Sequence, residues 1–266
     1  MLGAIIGDIV GSRFEFFYHK SKDFDFFHKD CSFTDDSVMT IAVANALMLC
    51  DEDYSKLSDI ATREMVDIGR MYPKAGFGGH FINWIFSDDH EPYGSFGNGA
   101  AMRISPVGFI ANSIDEVREL TYKVTSISHN HPEGLKGAEA TAMAIYLARQ
   151  GKTIQEIRAF INEYYYKLDF TLDEIRDSYV HVESCQESVP QAITAFLEST
   201  SFEDAIRNAI SIGGDCDTTA AIAGGIAEAY YGIPAKLQEQ AKSYLDINFI
   251  DIISDFQAFR FRVAKY

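Results

Sequence analysis

Basic residues, cysteines and long apolar runs are all scarce in this chain of 266 residues. Lys and Arg together number 23 against 39 Asp and Glu, which gives a formal net charge of −16. A surface with this surplus of negative charge repels polyanions, so binding to nucleic acid or to an anionic membrane is disfavoured. A phosphate-containing ligand is not excluded, because divalent cations held by some of the acids invert the local field.

The four cysteines lie far apart and form no Cys-x-x-Cys pair. Their spacing matches neither a disulfide framework nor a zinc site, which is typical of proteins in a reducing compartment. The apolar residues 1–10 include Asp8 and lack the basic start and cleavage site of a signal peptide. No later apolar run approaches the length of a membrane span. We therefore expect a cytoplasmic protein.

Apolar residues recur at helical spacing in several parts of the chain, and alternating strand patterns closed by hairpin turns are missing. The windows with helical spacing are Val38–Leu49, Ile114–Val124, Gly137–Leu147, Val189–Leu197, Ala205–Ile210, Ala220–Tyr230 and Leu237–Leu245. Because no linker, repeat or low-complexity tract interrupts them, we expect one mostly helical domain over residues 1–266.

Prolines and glycines mark helix ends in this pattern. Pro132 is placed to open a helix that Gly151 follows, and residues 232–234, Gly-Ile-Pro, separate two further helices. Two stretches, 13–33 and 87–101, are long enough to be functional loops. The small residues of the helix that begins near Ala220 let neighbours approach closely, which predicts a central, buried position.

The first acidic motif, Thr34-Asp35-Asp36-Ser37, directly precedes a helical window. Taken alone it is typical of a helix cap, because these side chains accept hydrogen bonds from free backbone N–H groups and complement the helix dipole.

The second acidic motif, residues 213–219 with the sequence Gly-Gly-Asp-Cys-Asp-Thr-Thr, also opens a helix. Its two acids stand at positions i and i+2, which diverge by about 200° on a regular helix. Converging carboxylates would therefore need a turn, and the two glycines supply the backbone freedom for one. A capped helix and a metal-binding loop both remain open.

Together the two motifs offer four carboxylates and two threonine hydroxyls, which are all hard oxygen ligands. Such a set suits Mg²⁺ or Mn²⁺ better than zinc, for which histidine or cysteine would be expected. Four clustered carboxylates repel strongly unless cations are bound, and two divalent ions would balance four acids.

Five ordered motifs spread over almost the whole chain resemble those of the ADP-ribosylglycohydrolase family, which includes the dinitrogenase-reductase-activating glycohydrolase and the ADP-ribosyl-acceptor hydrolases. They are residues 3–12 (Gly-Ala-Ile-Ile-Gly-Asp-Ile-Val-Gly-Ser) with Glu15 shortly after, residues 33–37 (Phe-Thr-Asp-Asp-Ser), residues 94–103 (Gly-Ser-Phe-Gly-Asn-Gly-Ala-Ala-Met-Arg), Ser128-His129, and residues 213–218 (Gly-Gly-Asp-Cys-Asp-Thr).

The resemblance implies an all-α, compact and roughly orthogonal multi-helix bundle with two Mg²⁺ or Mn²⁺ ions in a cleft. It also implies hydrolysis of the glycosidic bond between ADP-ribose and a modified side chain, with ADP-ribosylarginine as the first expectation. The metal ligands implied in this way are Thr34, Asp35, Asp36, Asp215, Asp217 and Thr218. Glu15 and the metal-binding Asp36 carry the implied catalytic roles.

The segment Gly94, Ser95, Phe96, Gly97, Asn98 and Gly99 resembles the family's loop around the diphosphate and adenosine. Glycines let backbone N–H groups approach phosphate oxygens, and the Phe96 ring offers a face for stacking. By the same resemblance, His129 lies near the distal ribose or the diphosphate, although a helix cap or a core position would also explain it. Asp8 is expected to organise the site through hydrogen bonds. Arg103 is expected to form a structural ion pair, with a role as a phosphate ligand as the alternative.

We expect a monomer that acts on an ADP-ribosylated protein or a small ADP-ribose conjugate and binds neither nucleic acid nor membrane. Three alternatives remain open at this point. The first is a catalytically weak ADP-ribose-binding protein on the same fold. The second is a hydrolase of serine-linked, acetyl-ester or small-molecule derivatives. The third is a binuclear-metal phosphohydrolase, which would release AMP or phosphate instead of ADP-ribose.

Overall fold

The computed structural model describes residues 1–264, so the last two residues of the expected domain lie outside the described part. Within it, helices and their connections account for the whole architecture, and the only β-type pairing among these residues is an isolated bridge between Gly97 and Ser184. The helices are α1 (Leu2–Gly11), α2 (Asp35–Cys50), α3 (Leu57–Met71), α4 (Gly79–Phe86), α5 (Gly99–Met102), α6 (Ser105–Ile110), α7 (Ile114–Thr125), α8 (Pro132–Arg149), α9 (Ile154–Tyr164), α10 (Leu172–Ile175), α11 (Cys185–Leu197), α12 (Phe202–Ser211), α13 (Cys216–Tyr231), α14 (Ala235–Lys242) and α15 (Ile247–Val263). The expected all-α class is confirmed.

Each window with helical spacing coincides with a helix, and the punctuation falls where it was expected. Pro132 stands at the first position of α8, and Gly151 follows the end of α8 with a positive φ of 72°. The window for α14 extends too far, because the helix ends at Lys242 and residues 243–245 form a turn. The two long loops are also present, apart from a 3₁₀ turn at Ser12–Phe14 and the start of α5.

The helical windows did not include eight helices: the short α5, α6 and α10, and the longer α1, α3, α4, α9 and α15. All of α1 except Leu2 is buried, so this helix carries no polar face and no helical periodicity. Helices α3 and α9, in contrast, each bury one apolar stripe, for example Ile157 and Ile161 of α9. For these two helices the spacing rule is sufficient, and the stripe is visible in the sequence.

Helix α13 is central, as its small residues predicted, and it packs against α1, α8, α11 and α12. The contact with α1 is close enough to require glycine: a Cβ added to Gly7 would lie 2.0 Å from the carbonyl oxygen of Ala220. Likewise, a Cβ on Gly3 would lie 2.4 Å from the carbonyl oxygen of Gly224. This close packing places the N-terminal end of α13 beside the C-terminal half of α1.

The packing also brings α2 to the same place, because α2 contacts both α1 and α13. Glu15 of the connection between α1 and α2, and Tyr93, Ser95, Gly97 and Asn98 of the loop before α5, line a cleft at this junction. None of the helices in residues 1–264 is both long and apolar enough to cross a membrane.

Candidate active site

The first acidic motif is held in place by the buried carboxylate of Asp8 on α1. Asp8 accepts hydrogen bonds from the backbone N–H of Thr34 at 2.9 Å, from the Thr34 hydroxyl at 2.7 Å and from the backbone N–H of Ser37 at 3.1 Å. The Ser37 hydroxyl donates to the same carboxylate. Thr34 caps α2 by accepting from the N–H of Asp36. The organising role expected for Asp8 is therefore confirmed, and the capping interpretation of this motif is correct as far as Thr34 goes.

The second acidic motif forms the expected turn. Gly213 and Gly214 have φ values of 69° and 82°, which residues with a Cβ rarely adopt. A Cβ on Gly214 would also lie 2.6 Å from the Tyr179 ring. The turn directs Asp215 and Asp217 toward α2 at the start of α13, so the two acids converge although a regular helix would separate them.

The two motifs meet across the junction of α2 and α13. The Thr218 hydroxyl donates to Asp36 Oδ2 at 3.3 Å, which joins residues 182 positions apart in the chain. Two sets of three carboxylates each have ligand atoms within 4.8 Å of one another, and Asp217 belongs to both. The first set is Asp8, Asp36 and Asp217, and the second is Glu15, Asp215 and Asp217.

Burial and close spacing raise the pKa values of several of the clustered acids. Burial raises the pKa of Asp36 and of Asp217 well above the usual range, and the neighbouring carboxylates raise both further. The pKa of Asp35 shifts in the same direction, first by burial and then by the charges of Asp8 and Asp215. Burial and the charge of Asp215 raise the pKa of Glu15 to about 7. The cluster therefore carries more negative charge than its own hydrogen bonds neutralise.

The donor set fits a divalent cation. Asp36 Oδ1 is buried and has no hydrogen-bond partner among the described residues, an arrangement that is costly unless a ligand occupies the position. All the candidate ligand atoms are oxygens, the type that Mg²⁺ and Mn²⁺ prefer. The acidic cluster can thus hold metal.

Five of the six expected ligands line one cleft: Asp35, Asp36, Asp215, Asp217 and Thr218. Thr34 is outside this lining. Asp35 belongs to neither of the two tight carboxylate sets. The Thr34 side chain already donates to Asp8 and accepts from Asp36, so it retains one free lone pair at most.

The glycine loop lies against the chain that leads into α11. The N–H of Asn98 donates to the carbonyl oxygen of Glu183 at 2.7 Å, and the N–H of Cys185 donates to that of Phe96 at 2.9 Å. Asn98 also connects the loop to the acidic cluster, because its side-chain amide donates to Asp215 Oδ2 at 2.7 Å. The loop therefore forms part of the cleft wall beside the acids.

Not every residue of this loop faces the cleft. Ser95, Gly97, Asn98 and Gly99 line it, whereas Gly94 and Phe96 are outside the lining. Phe96 is 48% exposed, and its ring packs edge-on against His131 at a centroid distance of 5.3 Å.

His129 is buried and lines the cleft, so it is not a helix cap. That role belongs to His131, whose Nδ1 accepts from the N–H of Glu133 at the start of α8. The ion pair expected for Arg103 was wrong: no carboxylate in residues 1–264 lies within salt-bridge distance of this fully buried guanidinium, which hydrogen-bonds to Ser128 instead.

Several residues that line the cleft were not predicted to do so, although Met102 and Arg103 lie within the motif of residues 94–103. The full set is Gly76, Gly78, Gly79, His80, Phe81, Tyr93, Met102, Arg103 and Glu183. The three glycines around the start of α4 form a glycine-rich turn, and this turn is visible in the sequence. Glu183 stands in no motif and reaches the cleft only because its backbone pairs with the glycine loop.

Comparison with known proteins agrees with this geometry. The model of the family described as ADP-ribosylglycohydrolase matches residues 1–256. The protein named ADP-ribosylhydrolase ARH3 from Xenopus tropicalis is 26% identical, over 92% of this chain and 91% of its own length. Its Homo sapiens counterpart is also 26% identical, over 92% of this chain and 88% of its own. ADP-ribosylarginine hydrolase Tri1 from Pseudomonas putida (strain GB-1) is 26% identical, over 88% and 70%.

A solved structure described as an ADP-ribosylglycohydrolase-related protein complex shares the fold, with a TM-score of 0.67 at 20% identity. The superposition covers 91% of this chain and 93% of that one. The family match spans both acidic motifs, the glycine loop and the helices that hold them. The chain therefore belongs to the ADP-ribosylglycohydrolase family of enzymes.

Proposed function

We propose that this enzyme is a metal-dependent hydrolase that cleaves the glycosidic bond between ADP-ribose and a modified arginine side chain and releases free ADP-ribose. The observation that carries the proposal is the meeting of the two acidic motifs in one cleft, with an unpartnered buried oxygen on Asp36 and with residues of the glycine loop in the lining. The acids thus suit cations, and the adjoining glycine loop suits a phosphate-bearing ligand.

The proposed cofactors are two Mg²⁺ or Mn²⁺ ions. Asp36, Asp215, Asp217 and Thr218 are the proposed ligands at the centre of the cleft, and Thr34 and Asp35 complete the set from the start of α2. The sharing of Asp217 between the two carboxylate sets supports a pair of ions. When bound, such ions lower the pKa of a bound water and orient hydroxyl groups of the substrate.

The chain's own residues then have separate tasks in the proposed reaction. The bond from the anomeric carbon of the distal ribose to the guanidine nitrogen breaks, and a bond from that carbon to a water oxygen forms. Glu15, half-buried where the loop after α1 meets the cleft, accepts a proton from the water or passes one to the leaving nitrogen. Asp36, in the same cleft, is proposed to keep the reacting ribose in place.

Substrate binding falls to the glycine loop and His129. Ser95, Gly97, Asn98 and Gly99 are proposed to receive the diphosphate and adenosine, with Gly94 and Phe96 outside the cleft wall. Arginine is the proposed linkage because one relative is named an ADP-ribosylarginine hydrolase. A guanidinium is also the leaving group that an acidic cleft in a chain of net charge −16 accepts best.

We further propose that residues 1–266 act as one domain and as a monomer. Packing of the two ends of the chain supports the first point, since α1 packs on α13 and α15 packs on α2. The N-terminal amine also donates to Glu228 of α13 at 2.6 Å.

The test is product analysis on arginine- and serine-ADP-ribosylated peptides, with Mg²⁺ or Mn²⁺ and with EDTA, beside Asp36→Asn. We expect free ADP-ribose from the arginine-linked peptide with metal, and none in EDTA or in the variant. Release from the serine-linked peptide alone would show that the enzyme cleaves the serine linkage and not the arginine linkage. AMP or phosphate as the product would indicate a phosphohydrolase. Metal-dependent binding of ADP-ribose without any release would indicate a binding protein.

A further inference from the structure

Arg103 is a buried cation without a counter-ion. Its side chain is 0% exposed, yet among residues 1–264 no carboxylate lies within salt-bridge distance of it, and its Nε has no hydrogen-bond partner. The guanidinium lies over the Phe81 ring at 5.3 Å and lines the cleft. Burying an unpaired charge is expensive, so a structural role alone explains this arrangement poorly.

The polar contacts of Arg103 lead directly to His129. Arg103 Nη2 donates to the Ser128 hydroxyl at 2.7 Å and lies 3.4 Å from His129 Nδ1. The Ser128 hydroxyl in turn lies 2.9 Å from the same Nδ1. The three side chains therefore form a closed triangle on one side of the imidazole.

The chemistry of these groups fixes the proton on the imidazole. A guanidinium has donors only, so the nitrogen that faces it must offer a lone pair. The Ser128 oxygen already accepts from Arg103, which favours donation of its own hydrogen to Nδ1. A neutral imidazole whose Nδ1 is an acceptor carries its hydrogen on Nε2. Burial, and then the charge of Arg103, lower the pKa of His129 well below its usual value, which agrees with a neutral ring.

The protonated nitrogen points at the glycine loop. A Cβ added to Gly99 would lie 3.2 Å from His129 Nε2, and one added to Gly97 would lie 3.7 Å from it. A side chain at position 99 would crowd this N–H, whereas one at position 97 would be in ordinary contact with it. The groups that face the ring from other elements are the aromatic rings of Phe81 and Tyr93, at centroid distances of 6.0 Å and 5.9 Å.

We propose that Arg103, whose guanidinium is held by Ser128, is a positioning residue that keeps His129 as the Nε2–H tautomer, so that a neutral N–H donor faces an anionic oxygen of ADP-ribose. The inference rests on the proposed function for the identity of the ligand. The uncompensated charge of Arg103 adds a favourable field for the same anion. Arg103 thus serves the ligand through His129, without replacing it as the donor.

The first test reads the tautomer in the free enzyme. Two-bond ¹H–¹⁵N correlation spectra of protein with ¹⁵N-labelled histidine distinguish the two tautomers, and the His129 signals are assigned by their loss in His129→Gln. We expect only the Nε2–H tautomer in the wild-type enzyme. In Arg103→Met we expect a mixture, because the Ser128 hydroxyl then becomes free to accept. In Ser128→Ala we expect the wild-type tautomer, because Arg103 still faces Nδ1. An Nδ1–H ring in the wild-type enzyme overturns the proposal.

The second test measures the affinity for ADP-ribose by calorimetry, with Mg²⁺ present. Arg103→Met should weaken binding by about tenfold or more, because it lowers the fraction of the Nε2–H tautomer and removes a buried positive charge beside the anion. Ser128→Ala should weaken it by less than about fivefold. Equal affinities of Arg103→Met and the wild-type enzyme would overturn the proposal.

A pair of isosteric variants decides the matter if Arg103→Met does not fold. The amide nitrogen of Gln reaches the position of Nε2, whereas that of Asn reaches the position of Nδ1. His129→Gln should therefore keep most of the affinity for ADP-ribose, and His129→Asn should lose about tenfold or more. Equal losses would contradict the proposal. Neither the spectra nor the calorimetry requires turnover. A protein that binds ADP-ribose but does not hydrolyse ADP-ribosylated peptides would therefore disprove the proposed function without contradicting this inference.

Discussion

At the level of single residues, the cleft depends on Asp217, the carboxylate that both acidic sets share. Asp217→Asn removes one negative charge from a buried, repelling group. In the metal-free protein it should therefore raise the melting temperature, by an amount equivalent to about 1 kcal/mol or more. It should also abolish the additional stabilisation by Mn²⁺. Thermal unfolding with and without Mn²⁺ measures both effects.

The matched control for this variant is Asp67→Asn, which removes the same charge from an exposed position on α3. Its melting temperature should respond to Mn²⁺ as the wild-type protein does. A loss of the Mn²⁺ response in both variants would mean that overall charge, and not the shared ligand, governs the stabilisation.

Glu15 is the carboxylate placed for proton transfer at the cleft. Glu15→Gln keeps the size of the side chain and removes its basicity, so kcat should fall by about a hundredfold to ten-thousandfold. Affinity for ADP-ribose should change by less than about threefold, because the variant leaves the glycine loop intact. Steady-state kinetics and calorimetry separate the two quantities, and an unchanged kcat would remove Glu15 from the mechanism.

The buried acids also predict how the stability of the metal-free protein depends on pH. The pKa of Asp8 is raised to about 6, and the pKa values of Asp36 and Asp217 lie well above the usual range. The folded state therefore binds more protons than the unfolded state, so its stability is greatest below about pH 4 to 5 as far as these groups are concerned. This contribution to the stability should fall as the pH rises through about 6, the pKa of Asp8, and through about 7, the pKa of Glu15.

Thermal unfolding in EDTA at several pH values between these limits measures the effect, and added Mn²⁺ should reduce it. Asp8 should contribute less to this pH dependence than Asp36 and Asp217. Its hydrogen bonds to Thr34 and Ser37 favour its ionised form and limit the rise of its pKa. A melting temperature that increases steadily with pH in EDTA would contradict the account of the cluster.

At the level of secondary structure, the contact between α1 and α13 connects the stability of the fold to the site. Gly7→Ala places a methyl group 2.0 Å from a backbone carbonyl oxygen of α13, where neither partner is a flexible side chain. Although alanine is the better helix former by about 1 kcal/mol, overpacking should cost about 1 to 3 kcal/mol or more. Chemical denaturation should show a net loss of stability.

The control for this substitution is Gly78→Ala at the start of α4, where a Cβ would meet no atom within 4 Å and φ is −56°. Its stability should stay within about 0.5 kcal/mol of the wild type. If Gly7→Ala were equally harmless, the two helices would be less tightly coupled than the structure indicates.

The sequence predicted those elements whose pattern is local. Helix α2 and its cap follow from Thr34 and the apolar spacing behind it, and the turn before α13 follows from two glycines between an apolar stretch and an acid pair. Helix α1 could not be found in this way, because it is buried on all sides and has no polar face. The role of α1 in the site comes from hydrogen bonds between Asp8 and residues 34–37, and these long-range contacts cannot be predicted from a local sequence pattern.

The same distinction explains the outcome for Arg103. An arginine at the start of an apolar stretch is normally paired with an acid, and the sequence offers many acids. The observed partner, Ser128, lies 25 positions away and is reached only after α7 has turned the chain back. Which partner a buried polar group selects is decided by tertiary packing, so the ion pair expected from the sequence was wrong.

At the level of the whole molecule, the helices from both ends of the chain pack onto the helices that carry the acids. If residues 1–266 form one domain, thermal unfolding measured by calorimetry should show a single transition. The same midpoint should appear by circular dichroism and by fluorescence of Trp84, which is buried on α4. Two resolved transitions would contradict the proposed single domain.

The family resemblance carried the prediction further than the residues did alone. Four carboxylates of hard-ligand type predict a divalent-cation site, but helix capping explained the first motif equally well until the structure joined Asp36 to Thr218. Family membership then adds the enzyme class. The linkage, the ions and the division of tasks among the acids depend on experiment, because they follow from neither residue spacing nor fold.

The most direct test of the central claim is a Mn²⁺ titration of the EDTA-stripped enzyme, in which release of ADP-ribose from an arginine-ADP-ribosylated peptide is followed against the number of ions bound per chain. We expect no release without metal and full activity at two ions per chain, with neither the binding stoichiometry nor the activity recovered in Asp217→Asn. Undiminished release of ADP-ribose in EDTA would contradict this expectation.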